Sequence, residues 1–231
     1  MKVYISLPEG GQPGPGVVII QGQNGVDRSI QETARMLARA GYVAAAPDLY
    51  HRDLPDCQDD APTRRARLRD ATVIKDVNVA ANFLKAHLQV DSERLGILGF
   101  CMGGRAAYLM AAVNPDFKTG VMYYGGNIMQ PWGDGPSPFE RTSEIHCPIL
   151  GHFGEEDKNP SPEDMRKFDA ELSRLGKVHE FYSYSGAGHG FANIDASSYR
   201  PHAAESAWPR TLTFLAKYLG RQGYPPAAAG R

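Results

Sequence analysis

Gly99-Phe100-Cys101-Met102-Gly103-Gly104 follows the apolar run Leu95-Gly-Ile-Leu98 and precedes a segment of helical period, Ala106 to Val113. Apolar run, glycine turn and helix make one strand-turn-helix unit. The turn has the G-x-nucleophile-x-G form of a nucleophile elbow, with Cys in the reactive position. The demand behind that pattern is steric: the nucleophile sits on a strained turn, so the residues two before and two after it must let the backbones close up. Gly99 and Gly103 meet it. The same turn puts Cys101 at a helix N-terminus, where backbone N–H groups and the positive end of the dipole favour the thiolate. A small buried thiol or a phosphate-binding turn are competing readings of these residues. The glycines at 96, 99 and 103 do not form the G-x-G-x-x-G dinucleotide fingerprint.

Outward from this unit the pattern repeats. Val17 to Ile20, Val43 to Ala46, Val121 to Tyr124, Ile149 to Phe153 and Val178 to Tyr184 read as strands, several apolar throughout as in strands buried on both faces. Met1 to Leu7 alternates as a strand does. Ile30 to Arg39, Ala71 to Leu88, Glu163 to Leu175 and Glu205 to Leu219 read as helices between and after them. Ser161-Pro162-Glu163-Asp164 opens one with a cap, an N1 proline and first-turn acids. Strand-helix alternation predicts an α/β protein, a three-layer α/β/α sandwich with a mostly parallel central sheet. Residues 1 to 222 are expected to form one domain and 223 to 231 a frayed tail. Leu49 to Thr63 and Gly125 to Glu144 read as long loops, of the length that binding loops have.

Composition narrows the class. The chain has 231 residues with 25 Lys and Arg against 26 Asp and Glu, and 42% hydrophobic residues, which suits one globular core. A formal net charge of −1 argues against a nucleic-acid partner. The early apolar run is too short for a membrane span or signal segment. Cys57, Cys101 and Cys147 form no CxxC, so neither a disulfide framework nor a zinc site is expected, and a reducing, cytoplasmic setting follows.

An elbow nucleophile needs an acid and then a His later in the chain. His189, in Gly186-Ala-Gly188-His189-Gly190-Phe191, lies in a glycine-rich loop after a predicted strand, and such a loop can fold over the top of the sheet. Of the other histidines, His152 falls inside a strand and reads as core. Asp157 ends Gly154-Glu155-Glu156-Asp157, after another strand, with Glu155 and Glu156 as neighbouring candidates.

Gly99-Phe-Cys-Met-Gly-Gly104, Gly154-Glu-Glu-Asp157 and Gly188-His-Gly-Phe191, together with Pro47-Asp48-Leu49-Tyr50 and Tyr123-Tyr124-Gly125, resemble the dienelactone hydrolase (carboxymethylenebutenolidase) family of the α/β-hydrolase fold, over about residues 15 to 219. The resemblance implies that Cys101 is the nucleophile, His189 its base and Asp157 the orienting acid. It implies an oxyanion hole made by the backbone N–H groups of Met102 and Gln23, and cleavage of an ester or lactone through a thioester without metal or cofactor. The partner expected is that small molecule, with monomer or small homo-oligomer both open.

Two departures stand out. The family's Gln-Glu pair at the end of the first core strand is here Gln21-Gly22, so the carboxylate facing the resting thiol is missing and a more ionised Cys101–His189 pair is expected. Where the family places an arginine shortly after the catalytic His, this chain has Asn193. A replacement cation is sought in the cluster Arg64, Arg65, Arg67 and Arg69, with Arg69 as the substrate contact and a solvated helix face as the competing and more ordinary reading; Trp132 is a candidate pocket wall in the Gly125 to Glu144 segment, which reads equally as an exposed structural loop. Two rival functions fit the same residues: a hydrolase-fold binding protein without turnover, and a nucleotide-binding α/β protein.

Overall fold

The computed structural model describes residues 1–54 and 56–220. Seven strands form one sheet in the order β1-β3-β2-β4-β5-β6-β7: β1 (Val3–Ser6), β2 (Gly14–Ile20), β3 (Val43–Pro47), β4 (Val90–Phe100), β5 (Phe117–Tyr123), β6 (Ile149–Gly154) and β7 (His179–Tyr184). Every pair is parallel except β1 with β3, where Val3 faces Pro47 and Ser6 faces Ala44. The N-terminal strand is short, partly exposed and antiparallel because it enters from outside the strand-helix series and only has to cover an edge.

The helices α1 (Arg28–Arg39), α2 (Ala61–Ala66), α3 (Asp70–Lys85), α4 (Met102–Val113), α5 (Pro162–Arg174) and α6 (Pro201–Leu219) complete the chain's regular elements among the described residues, with a 3-10 turn at Phe139–Glu144. The pleat of β2 shows how the layers form. Val17 and Ile19 pack with α1 and α6 on one face, while Val18 and Ile20 pack with α3 and α4 on the other. All four are fully buried, each contributing about 1.5–3 kcal/mol of apolar burial. A third cluster seats α5 through Phe168 and Leu172 against α4, Ile149 and Phe153. The sandwich expected from the alternation is therefore present, with parallel strands joined by helical crossovers.

Boundaries differ from the sequence reading where polar residues hide regularity. β4 starts at Val90 because Asp91 to Arg94 continue the strand despite their charges. α6 starts at Pro201, four residues earlier than expected, with Pro201 at its first turn and Pro209 inside it. The Leu49 to Thr63 segment runs into the short helix α2, capped by Asp60, whose carboxylate accepts the Thr63 N–H at 2.9 Å. Ser161 and Asp164 form the expected capping box on α5. The expected tail, 223 to 231, lies outside the described residues. No helix among the described residues is long and apolar enough to cross a membrane.

The carboxyl ends of β2, β4, β6 and β7 open on the same edge of the sandwich. In open α/β sheets this is the edge at which ligands bind, and every candidate residue of the elbow, acid and histidine loops arrives there.

Candidate active site

Cys101 sits between β4 and α4 with φ 57° and ψ −119°, a left-handed conformation for a residue with a side chain. Its N–H is held by the Tyr123 carbonyl at 3.0 Å and its carbonyl accepts the Arg105 N–H. Such strain persists only where the surroundings fix it. Here they do so by close approach: a Cβ on Gly99 would lie 1.9 Å from the Gly103 oxygen, and one on Gly103 would lie 2.2 Å from the Ile20 oxygen. Only two glycines allow β4, β2 and α4 to meet under the thiol.

His189 Nε2 lies 2.9 Å from Cys101 Sγ, and His189 Nδ1 donates to Asp157 Oδ2 at 2.9 Å. The three residues come from the ends of β4, β6 and β7. Asp157 is buried, and its other oxygen accepts the Asn159 N–H at 2.9 Å. Burial opposes charge on the His189 ring, but the hydrogen bonds to Asp157 and Cys101 outweigh it and raise its pKa to about 10. Tyr124 stands edge-on to the ring at 5.1 Å. Glu155 and Glu156 are exposed, while the structure places Asp157 inward against the histidine.

A cavity of about 430 Å³ opens over the thiol, lined by Gln23, Met102, Asn127, Arg65 and Lys158 together with the three residues above. The two backbone amides expected to face an oxyanion, those of Gln23 and Met102, thus belong to residues beside Cys101. Tyr50 ties them together: its hydroxyl donates to the Gln23 carbonyl at 2.9 Å and lies 3.6 Å from Met102 Sδ. Burial pushes the Tyr50 phenol up to about 12, so it remains a donor. Nothing in the sequence distinguished this role of Tyr50 beyond its place in the Pro47 to Tyr50 run.

A smaller chamber of about 150 Å³ meets the large one at the reacting atoms, sharing only Gln23, Cys101 and His189 with it. Gly22 and Asn193 line this chamber. A Cβ at Gly22 would be 3.8 Å from Cys101 Cβ and from the Phe100 oxygen, so the space left by the missing carboxylate is real.

Two expected substrate contacts lie elsewhere. Arg69 caps α3, spends Nη1 on the carbonyls of Ala66 and Leu68, and packs against Gly133; Arg65, on the neighbouring α2, is the arginine that lines the cavity. Trp132 is stacked under the Arg105 guanidinium at 4.1 Å and does not line the cavity. Arg105, fully buried, pairs with Asp70 through both nitrogens and donates to the carbonyls of Asn127 at 3.0 Å and Gln130 at 2.6 Å. It thereby holds the segment after β5. Asn127 in turn exchanges hydrogen bonds with Asn159, which carries the support to the Asp157 loop. Among the described residues no cluster of three His, Cys, Asp or Glu side chains is placed to hold a metal ion.

The chain is similar to known proteins along most of its length. A family model described as the dienelactone hydrolase family matches residues 1–219. A protein of Methylorubrum extorquens named as a carboxymethylenebutenolidase is 33% identical over 224 residues, covering 94% of this chain and 77% of its own. A Bradyrhizobium protein named as a 2-oxo-3-(5-oxofuran-2-ylidene)propanoate lactonase is 35% identical over 210 residues, 89% of this chain and 84% of its own. A crystal structure described as a dienelactone hydrolase from Klebsiella pneumoniae superposes with a TM-score of 0.83 at 31% identity, covering 94% of this chain and 92% of that one.

Proposed function

The chain belongs to the dienelactone hydrolase family, and from that premise we propose that it hydrolyses a small carboxylic ester or lactone through Cys101, His189 and Asp157. The observation that carries the reading is the continuous relay Sγ to Nε2 and Nδ1 to Oδ2, both links 2.9 Å, at the floor of a cavity.

Each residue has a role its position supports. Sγ attacks the carbonyl carbon and forms the S–C bond, while the carbonyl oxygen takes the electron pair and is met by the Gln23 and Met102 N–H groups. As the tetrahedral intermediate collapses, the C–O bond to the alcohol breaks and His189 Nε2 delivers its proton to the leaving oxygen. The same nitrogen then takes a proton from water, which attacks the thioester and returns the thiolate. Asp157 keeps Nδ1 protonated, so that Nε2 is the nitrogen that trades protons, and supports the imidazolium.

The charge of the large chamber favours an acid half that carries its own anion. Arg65 and Lys158 line it against Glu156 alone among exposed acids, and a guanidinium pairs well with a carboxylate. Arg65 takes the part that an arginine at the position of Asn193 would otherwise play.

Incubation with p-nitrophenyl acetate tests the reading. Acyl transfer should add one acetyl mass to Cys101, and Cys101→Ala should lose both the adduct and turnover. An adduct absent from the wild-type protein, or turnover surviving in Cys101→Ala, overturns it.

A further inference from the structure

We infer that the smaller chamber is a leaving-group subsite that selects a small, uncharged alcohol bearing further hydroxyl groups. The inference rests on the ester-cleaving reading above and names its substrate class more closely.

The scissile bond must lie where the two chambers meet, since Gln23, Cys101 and His189 are all they share. One half of an ester then occupies each chamber. Which half goes where follows from the walls. The large chamber holds Met102, one of the two oxyanion donors, and both cations. The small one is built from the chain that carries the proton donor: Gly190, Asn193, Ala196 and Ser198 follow His189 directly. The alkoxide that departs must receive its proton from Nε2, so the alcohol belongs on the histidine loop's side and the acid on the cationic side.

The small chamber's chemistry sets what alcohol fits. Its volume of about 150 Å³ has room for roughly five or six heavy atoms. Gly22 contributes much of that room, because any side chain there would project beside Cys101 with no clash to prevent it. No Lys or Arg lines it, and apart from the reacting Cys101–His189 pair its acidic member is Asp27, whose Oδ1 caps α1 by accepting the Ile30 N–H at 3.0 Å. An anionic alcohol is therefore opposed. Beside the apolar Ile30, Phe100 and Tyr124, Asn193 uses Oδ1 to accept the Asp195 N–H at 3.0 Å, which leaves its NH₂ as a donor, and Asn24 and Ser198 add further polar groups. A polyol fragment such as a glyceryl group can satisfy these partners, whereas an alkyl chain of equal size would strip them of water without replacement.

The test uses four monoesters of succinic acid, with methyl, butyl, glyceryl and carboxymethyl alcohol halves, together with methyl and glyceryl acetate, on the wild type and on Gly22→Leu and Ala196→Leu. The wild type should show kcat/KM for the glyceryl ester at least tenfold above the butyl and carboxymethyl esters. Filling the chamber from either side should lower the glyceryl-to-methyl ratio at least tenfold, and should leave the ratio of succinate to acetate esters unchanged. A wild type that cleaves p-nitrophenyl acetate and methyl succinate but ranks the alcohols equally overturns the subsite alone. Variants that shift discrimination between acids rather than alcohols overturn the assignment of the halves. Failure of the wild type on every ester overturns the esterase reading and this inference together.

Discussion

At Cys101 the backbone makes the chemistry legible. A side chain at φ 57° can be held only if its neighbours close in, and closing in demands glycine at 99 and 103, so the steric requirement is written into six consecutive residues. Gly103→Ala should therefore cost about 3 kcal/mol or more, read as a drop in the urea midpoint, since its Cβ would meet the Ile20 backbone and not a movable side chain. Gly22→Ala, with nothing nearer than 3.8 Å, should be within about 0.5 kcal/mol of wild type in the same titration. The missing carboxylate at Gly22 gives a kinetic prediction. Gly22→Glu should slow iodoacetamide labelling of Cys101 at neutral pH several-fold by placing an anion beside the sulfur, and an unchanged labelling rate contradicts it. The cation was less legible. Four arginines at 64, 65, 67 and 69 share one stretch, and only the seating of α2 decides that Arg65 faces the cavity while Arg69 turns to its own backbone carbonyls.

Elements that bury apolar residues were readable from period alone, whereas those held by polar contacts were not. β4 extends through charged residues and α2 buries nothing, so neither boundary has a hydrophobic signature. The segment after β5 is the clearest case. From sequence its Trp132 reads as a candidate pocket wall or as part of an exposed loop, but Arg105 on α4 captures the segment, pairing with Asp70 of α3 and stacking on Trp132 while bonding two of its carbonyls. Such a clamp joins residues 35 apart and leaves no local pattern. Arg105→Met should destabilise the fold by about 3–5 kcal/mol, because it strands the Asp70 charge in the interior. Replacing both partners, Arg105→Met with Asp70→Leu, should recover part of that loss in the urea midpoint. If the single variant is as stable as wild type, the clamp does not hold the segment.

Across the whole molecule, two histidines give the sandwich opposite responses to pH. His152, in β6, was expected in the core and is fully buried there, 2.9 Å from the Tyr184 hydroxyl and 3.0 Å from Thr211 Oγ1, which in turn meets the Tyr123 hydroxyl at 2.7 Å. The network ties β5, β6 and β7 to α6. Burial, aided by the nearby Arg210, lowers the His152 pKa to about 3, so the folded state refuses a proton that the unfolded chain accepts at about 6.5. Stability from this group is complete above pH 6.5 and is lost as the pH falls toward 3. His189 has the reverse sign: with its folded pKa raised to about 10, the folded state holds a proton that the unfolded chain releases, so its contribution is complete below pH 6.5 and fades as the pH rises to 10. The two windows meet near pH 6.5 without overlapping, so each histidine's contribution is read on its own limb. Between pH 6.5 and 5, before most carboxylates titrate, the acid limb should approach a slope of about 1.4 kcal/mol per pH unit, the limit for one proton. His152→Gln keeps hydrogen-bonding capacity without titrating and should flatten that limb while leaving the alkaline one; Asp157→Asn should flatten the alkaline limb and, by releasing the wrong tautomer of His189, lower kcat on the order of 10²- to 10⁴-fold. Calorimetric scans across pH 5 to 10 on the three proteins separate the two residues, and an acid limb unchanged by His152→Gln would show that the core network does not set it.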